Sequence, residues 1–107
     1  MDLRFVDEEL RALCNTRTLL RARFGPAGSI VERRLMVLSN AKTLGEVTIR
    51  PPDRRRREPR FGSAAGSVCA KAAGRIYFNA LGIEDSGVGN WEEVKEIEIF
   101  AIRKAAE

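Results

Sequence analysis

Residues 50 to 60 read RPPDRRRREPR, and no helix runs through such a segment. Pro51, Pro52 and Pro59 have no amide donor, and each biases the residue before it towards extended backbone, so the stretch is a loop or a sheet edge. It holds six arginines against two acids, Asp53 and Glu58, and so carries +4, which is also the net charge of the whole 107-residue chain. The other 13 basic and 13 acidic residues cancel. All of the excess charge therefore sits between two flanking halves that read as ordered, a placement suited to a polyanion. A solvated arginine loop without a ligand is the competing reading.

The half before the run reads as helical. Leu3 and Phe5 alternate with polar neighbours as in a short strand. Asp7 then stands as an N-cap, with Glu8 and Glu9 in a first turn that favours acids. Leu10, Leu13 and Cys14 continue on helical spacing, Asn15-Thr16 is a point of interruption, and Leu20 to Phe24 carry on to the stop at Gly25-Pro26. Ser29 and Glu32 match a capping box for a second helix with Val31, Leu35 and Leu38 on one face. The two helices form a hairpin whose apolar faces need a sheet to cover.

The second half supplies that sheet. Residues 46 to 50 alternate, with Val47 and Ile49 on one side, and are expected to form a strand entering the run. Residues 62 to 66 are small and read as flexible. Ser67 to Ala72 and Arg75 to Ala80 read as strands around a turn at Ala73-Gly74. Residues 81 to 90 read as a loop. Trp91 to Ile102 reads as a last strand, with Ile97, Ile99 and Ala101 on one side and Glu96, Glu98 and Phe100 on the other; its Glu/Lys-rich start leaves a helical alternative. The expected fold is α+β: an N-terminal strand and a helical hairpin packed on a largely antiparallel, twisted sheet of four to five strands, in one domain.

Composition narrows the chemistry. With no histidine, a His-based triad or acid/base pair is excluded. Cys14 and Cys69 stand 55 residues apart without zinc spacing and read as reduced core thiols, so no metal or cofactor is expected. Arginine outnumbers lysine 15 to 4, and only arginine grips phosphate with a bidentate fork and stacks on bases. The N-terminus lacks a basic region followed by an apolar stretch, and no run approaches the roughly 20 apolar residues that span a bilayer, so a cytoplasmic protein is expected.

In order and spacing, the segments DLRFVDEEL, RFGPAGSIVERRLMVLSNAKTLGEV, the basic run, GSVCAKAAGRIYF and WEEVKEIEIFAI together resemble the RelE/ParE superfamily of bacterial toxins, in its HigB-like killer branch. The resemblance covers nearly the whole chain. It implies the toxin of a type II toxin–antitoxin pair, held by a small helix-turn-helix antitoxin. It also implies a metal-independent nuclease that cuts mRNA on the ribosome, where positive charge stabilises the oxyanion formed when a 2′-hydroxyl attacks the adjacent phosphate. Arg75 matches the family's strand arginine, and Arg60, with Arg56 and Arg57 behind it, falls among its basic loop residues. Tyr77 shares a strand face with Arg75. The implied catalytic set is Arg75, Arg60 and Tyr77, and the implied nucleic-acid-binding set is Arg54, Arg55, Arg56, Arg57, Arg60 and Phe61.

The departures matter as much. HigB-like killers usually end in Asp-Tyr-His; here alanines take the Tyr and His positions, EPRFGSAAG replaces the usual Leu-Lys-Gly-Asp-Arg character, and a phenol is a poor base near neutral pH. Either arginines alone stabilise charge in a slow nuclease, or the chain keeps the fold and binds RNA or antitoxin without cutting. A ParE-like inhibitor of DNA gyrase is a third reading. The structural alternatives are a strand-face Arg75 paired with Glu96 or Glu98, a packed Tyr77, a Trp91 that anchors core or rim rather than stacking a base, and a Phe61 that anchors the end of the loop.

Overall fold

A computed structural model describes residues 1–82 and 91–104. The elements are β1 (Asp2–Phe5), α1 (Glu8–Cys14), α2 (Arg17–Phe24), α3 (Gly28–Asn40), β2 (Arg56–Arg57), β3 (Ala65–Cys69), β4 (Arg75–Ala80) and β5 (Glu96–Arg103). The fold is α+β, with one five-stranded sheet in the order β1-β5-β4-β3-β2. The sheet is mixed: β1 runs parallel to β5, while the other three pairings are antiparallel. No described helix is long and apolar enough to cross a membrane.

Local chemistry explains the helices. Asp7 has extended backbone and its side chain accepts from the Leu10 amide at 2.8 Å, so it caps α1 as its sequence position predicts. The Asn15-Thr16 break separates α1 from α2. The capping box at Ser29 does not form. Residues Gly25–Ala27 make a 3-10 turn that runs directly into α3, leaving Ser29 inside the helix, where its hydroxyl donates to the Pro26 carbonyl. A Cβ at Gly28 would meet the Leu20 carbonyl oxygen at 2.8 Å, so α2 and α3 cross this closely only because Gly28 has no side chain.

Leu20, Val31, Leu35 and Leu38 on the helices pack against Val68, Ile76, Phe78, Ile97 and Ile99 on one sheet face. Cys14, packed against this core, is a free thiol that burial pushes up to about 12, which keeps it protonated and unreactive at neutral pH.

Three strand expectations are corrected. Residues 46–50 form no strand: Leu44–Glu46 is a 3-10 turn, and the Arg50 amide donates to its near neighbour, the Thr48 hydroxyl. The edge strand is instead β2, inside the arginine run, paired through Arg56↔Ser67 and Arg57↔Gly66. The stretch expected to be flexible contributes Ala65 and Gly66 to β3, both buried, because small residues let the sheet close against Trp91. Trp91–Glu93 is a 3-10 turn, so the last strand starts at Glu96. Its alternation also breaks. The pairing steps from Tyr77↔Ala101 to Phe78↔Ile99, a bulge that skips Phe100. Ile102 then returns to the core, and Ala101 joins Tyr77 on the opposite face. The loop expected over 81–90 lies mostly outside the described residues.

Candidate nucleic-acid interface

The arginine run is not a loose loop. The Arg54 amide donates to the Arg50 carbonyl at 3.0 Å, the Arg55 amide to Thr48 at 3.0 Å, and the Asp53 carbonyl accepts from the Cys69 amide at 2.7 Å. Asp53 is 8% exposed and faces Arg34 of α3, 5% exposed, with Nε and Oδ1 3.6 Å apart. The same Arg34 Nε donates to the Cys69 carbonyl at 3.0 Å. One buried ion pair thus ties the run to the helix layer, and two buried charges hold a fixed place only when each finds its partner.

Around β2 the run is extended, so successive side chains from Arg55 to Glu58 alternate between the two sides of the sheet edge, and a 3-10 turn over Pro59–Phe61 then carries Arg60. Arg55 and Arg57 go to one side. Their guanidinium carbons lie 5.3 Å and 4.2 Å from the Trp91 ring centroid, an arrangement favoured by the ring's negative face. Arg55 also donates to the Leu44 carbonyl at 3.0 Å, and burial pushes its pKa down. Trp91 is 6% exposed and packs on Phe78, so it anchors the core while serving as a shelf for two arginines.

Arg56, Glu58 and Arg60 take the other side, the face of the sheet that the helices leave open. Glu58 is buried; its Oε2 accepts from Arg56 Nε at 3.1 Å and from the Ser67 hydroxyl at 3.2 Å. The Ser67 hydroxyl oxygen in turn accepts from Arg75 Nε at 2.6 Å. Arg75 Nη2 donates to the Arg54 carbonyl. Arg75 therefore pairs with neither Glu96, whose partner is Arg4, nor Glu98; it fastens the run to the sheet from beneath. At 8% exposure its pKa is lowered, first by burial and then by neighbouring Arg56.

Beside this network Arg60 Nη2 donates to the Tyr77 hydroxyl at 3.4 Å. Phe61 meets Tyr77 and Phe100 edge to face, with centroids 5.3 Å and 5.7 Å away, and Tyr77 is fully buried beneath it. Arg60 lies over the Phe61 ring at 4.7 Å. Arg103, at the end of β5, lies over Phe61 at 5.4 Å and over Tyr77 at 5.8 Å. Among the described residues two buried donors have no hydrogen-bond partner, Trp91 Nε1 and Arg103 Nε.

The structure thus brings Arg56, Arg60, Phe61, Arg75 and Tyr77 together on one face and sends Arg55 and Arg57 to the other. Arg54 is exposed, with a backbone φ of +45°, and offers its carbonyl to Arg75. Sequence reasoning missed Ser67 and Glu58, which connect the arginines, and Arg103. Arg103 escaped because the bulge at Phe100 changes which side of β5 it occupies, and nothing in the local pattern marks that change. Chemically, the face offers a dense row of fixed cations and rings. Its phenol is shut from solvent and its strand arginine is already engaged. Among the described residues no three His, Cys, Asp or Glu side chains group to hold a metal ion. A separate groove of about 760 Å³ lies between α1, α2 and the end of β5, lined by Leu10, Leu13, Leu19, Phe24, Phe100 and Ile102.

Compared with protein-family models, with curated proteins and with solved structures, the chain matches none.

Proposed function

We propose that this chain is a binding module of RelE/ParE-type toxin layout that grips the phosphate backbone of single-stranded RNA along the β2 edge without cutting it. The observation that carries this reading is the fixed fan of arginines around β2, with Arg55 and Arg57 held over Trp91 and Arg60 over Phe61. Preformed guanidinium forks beside aromatic rings suit a strand that offers phosphates and bases together, and fixing them in advance lowers the ordering cost of binding. Cleavage asks for more: a proton acceptor with access to the 2′-hydroxyl, whereas Tyr77 is buried and the chain has no histidine. By the same resemblance, the partner that covers the basic face is a small helix-turn-helix antitoxin, and the RNA is ribosome-associated mRNA in the cytoplasm.

A second reading, the ribonuclease, draws on one contact. Arg60 donates to the Tyr77 hydroxyl, which joins two members of the implied catalytic set directly. One experiment separates the two. Purified protein is incubated with labelled single-stranded RNA, and mRNA from expressing cells is mapped by primer extension. Binding is expected to leave the RNA intact and to produce no new 5′ ends; discrete cuts that disappear in Tyr77→Phe overturn the binding-only reading in favour of the nuclease.

A further inference from the structure

β5 is covered unevenly along its two edges. Its first half, Glu96–Ile99, lies between β1 and β4. β1 stops at Phe5, and the last backbone bond across that edge runs from the Val6 amide to the Ile99 carbonyl at 3.0 Å. Beyond it, among the described residues, Phe100–Arg103 has β4 alone as a neighbouring strand. A strand edge without a neighbour presents N–H and C=O groups that another strand can take. This one lies along the groove of about 760 Å³, which Phe100, Ala101 and Ile102 line together with α1 and α2. Leu19 on the α2 wall is 44% exposed, so the groove leaves apolar surface open to solvent.

Edge and groove together define an occupant. The open stretch is four residues, about 13 Å of strand, and an edge asks for extended backbone, whereas a helix uses its own amides internally. Charge then sets the composition. Asp7 and Glu9 line the groove against one cation, Arg23, so it is net negative on a chain of net charge +4. Asp7 caps α1, and Glu9 has no ion-pair partner among the described residues. Such a groove repels the polyanion that suits the β2 edge and favours a basic ligand. We propose that it is a second binding site, taking an extended segment of a partner protein that adds a strand to β5 at Phe100–Arg103. Alternate side chains of that segment are apolar and pack on Leu10, Leu13 and Leu19, and a lysine or arginine faces Glu9. The site goes beyond the RNA-binding reading and does not rest on it.

The test selects a phage-displayed library of random ten-residue peptides on the full chain. Enriched peptides are then synthesised and titrated into ¹⁵N-labelled protein, with amide shifts and hydrogen exchange as readouts. The expected sequences alternate apolar and polar residues, carry net positive charge, and slow the exchange of backbone amides within residues 100–103. Leu19→Glu is expected to weaken their binding by about tenfold or more, and Glu9→Gln by about threefold. Both residues are exposed, and an unchanged amide spectrum over the rest of the sheet shows that each variant keeps the fold. No enriched peptide, or peptides that bind while residues 100–103 exchange as before, overturns the proposal; so does a peptide that occupies the groove as a helix. In a parallel arm a single-stranded oligoribonucleotide is added. RNA that displaces the peptide from these amides gives the groove to nucleic acid and overturns the proposal, whereas a chain that binds peptide and no RNA supports it and removes the RNA-binding reading.

Discussion

Asp53 is one of only two acids in the arginine run, and it stabilises the run by leaving solvent. Its carboxylate is buried against Arg34, and its carbonyl receives the Cys69 amide. Removing one member of a buried pair leaves an uncompensated charge, at a cost of about 3 kcal/mol or more. Asp53→Ala is expected to lose about that much stability in urea unfolding. Asp53→Leu combined with Arg34→Met is expected to regain most of it, because the charge and its partner leave together. If the single variant unfolds at the wild-type midpoint, the pair does not anchor the run. Little of this was legible in the sequence. Arg34 follows Arg33 on the helix, off its apolar face, and reads as pointing to solvent or across to glutamates; only the tertiary fold brings α3 beneath residue 53.

At the scale of elements, the strongest local signals carried through. The Asp7 cap, the Gly25-Pro26 stop and β4 over Arg75–Ala80 all stand where pattern placed them, since each rests on chemistry within a few residues. The misplaced elements were decided by distant partners. Val47 and Ile49 alternate like a strand but join no sheet, Val47 being buried in the core and Ile49 exposed, whereas Arg56 and Arg57 carry no apolar pattern and pair because β3 presents an open edge. Glycine in β3 matters for the same reason. A Cβ at Gly66 would press on Trp91, on Phe78 Cζ at 2.9 Å and on the Arg56 carbonyl at 2.9 Å, all of them parts of the arginine shelf. Gly66→Ala is expected to cost about 1–3 kcal/mol by overpacking and to displace Trp91, visible as a red-shifted tryptophan emission in the folded protein. An unchanged emission maximum and an unchanged unfolding midpoint would show that β2 does not pack as closely as described.

Across the whole molecule, the arginine run is the seam between a helix layer and the edge of a sheet. Arg34 and Asp53 hold it from the helix side, Arg75 and Ser67 from the sheet side, and Trp91 and Phe61 support the side chains that remain outside. This arrangement turns a charge excess that could have been a solvated tail into a fixed row of cations, the property that the proposed RNA binding uses. It also separates positioning from exposure: Arg75 holds the edge, while the exposed arginines are those that the proposed RNA would meet. The resemblance points to Arg75, but a strand pattern does not distinguish a buried arginine from an exposed one.

The most direct test of this account is the salt dependence of binding to single-stranded RNA, by fluorescence anisotropy, for the wild type and for Arg54→Gln/Arg57→Gln. Both residues are exposed, and each phosphate contact on a single strand contributes about 0.7 to the slope of log affinity against log salt. The account predicts a steep negative slope for the wild type, shallower by about 1.4 in the double variant. A flat wild-type slope, or identical slopes in the two proteins, would contradict it.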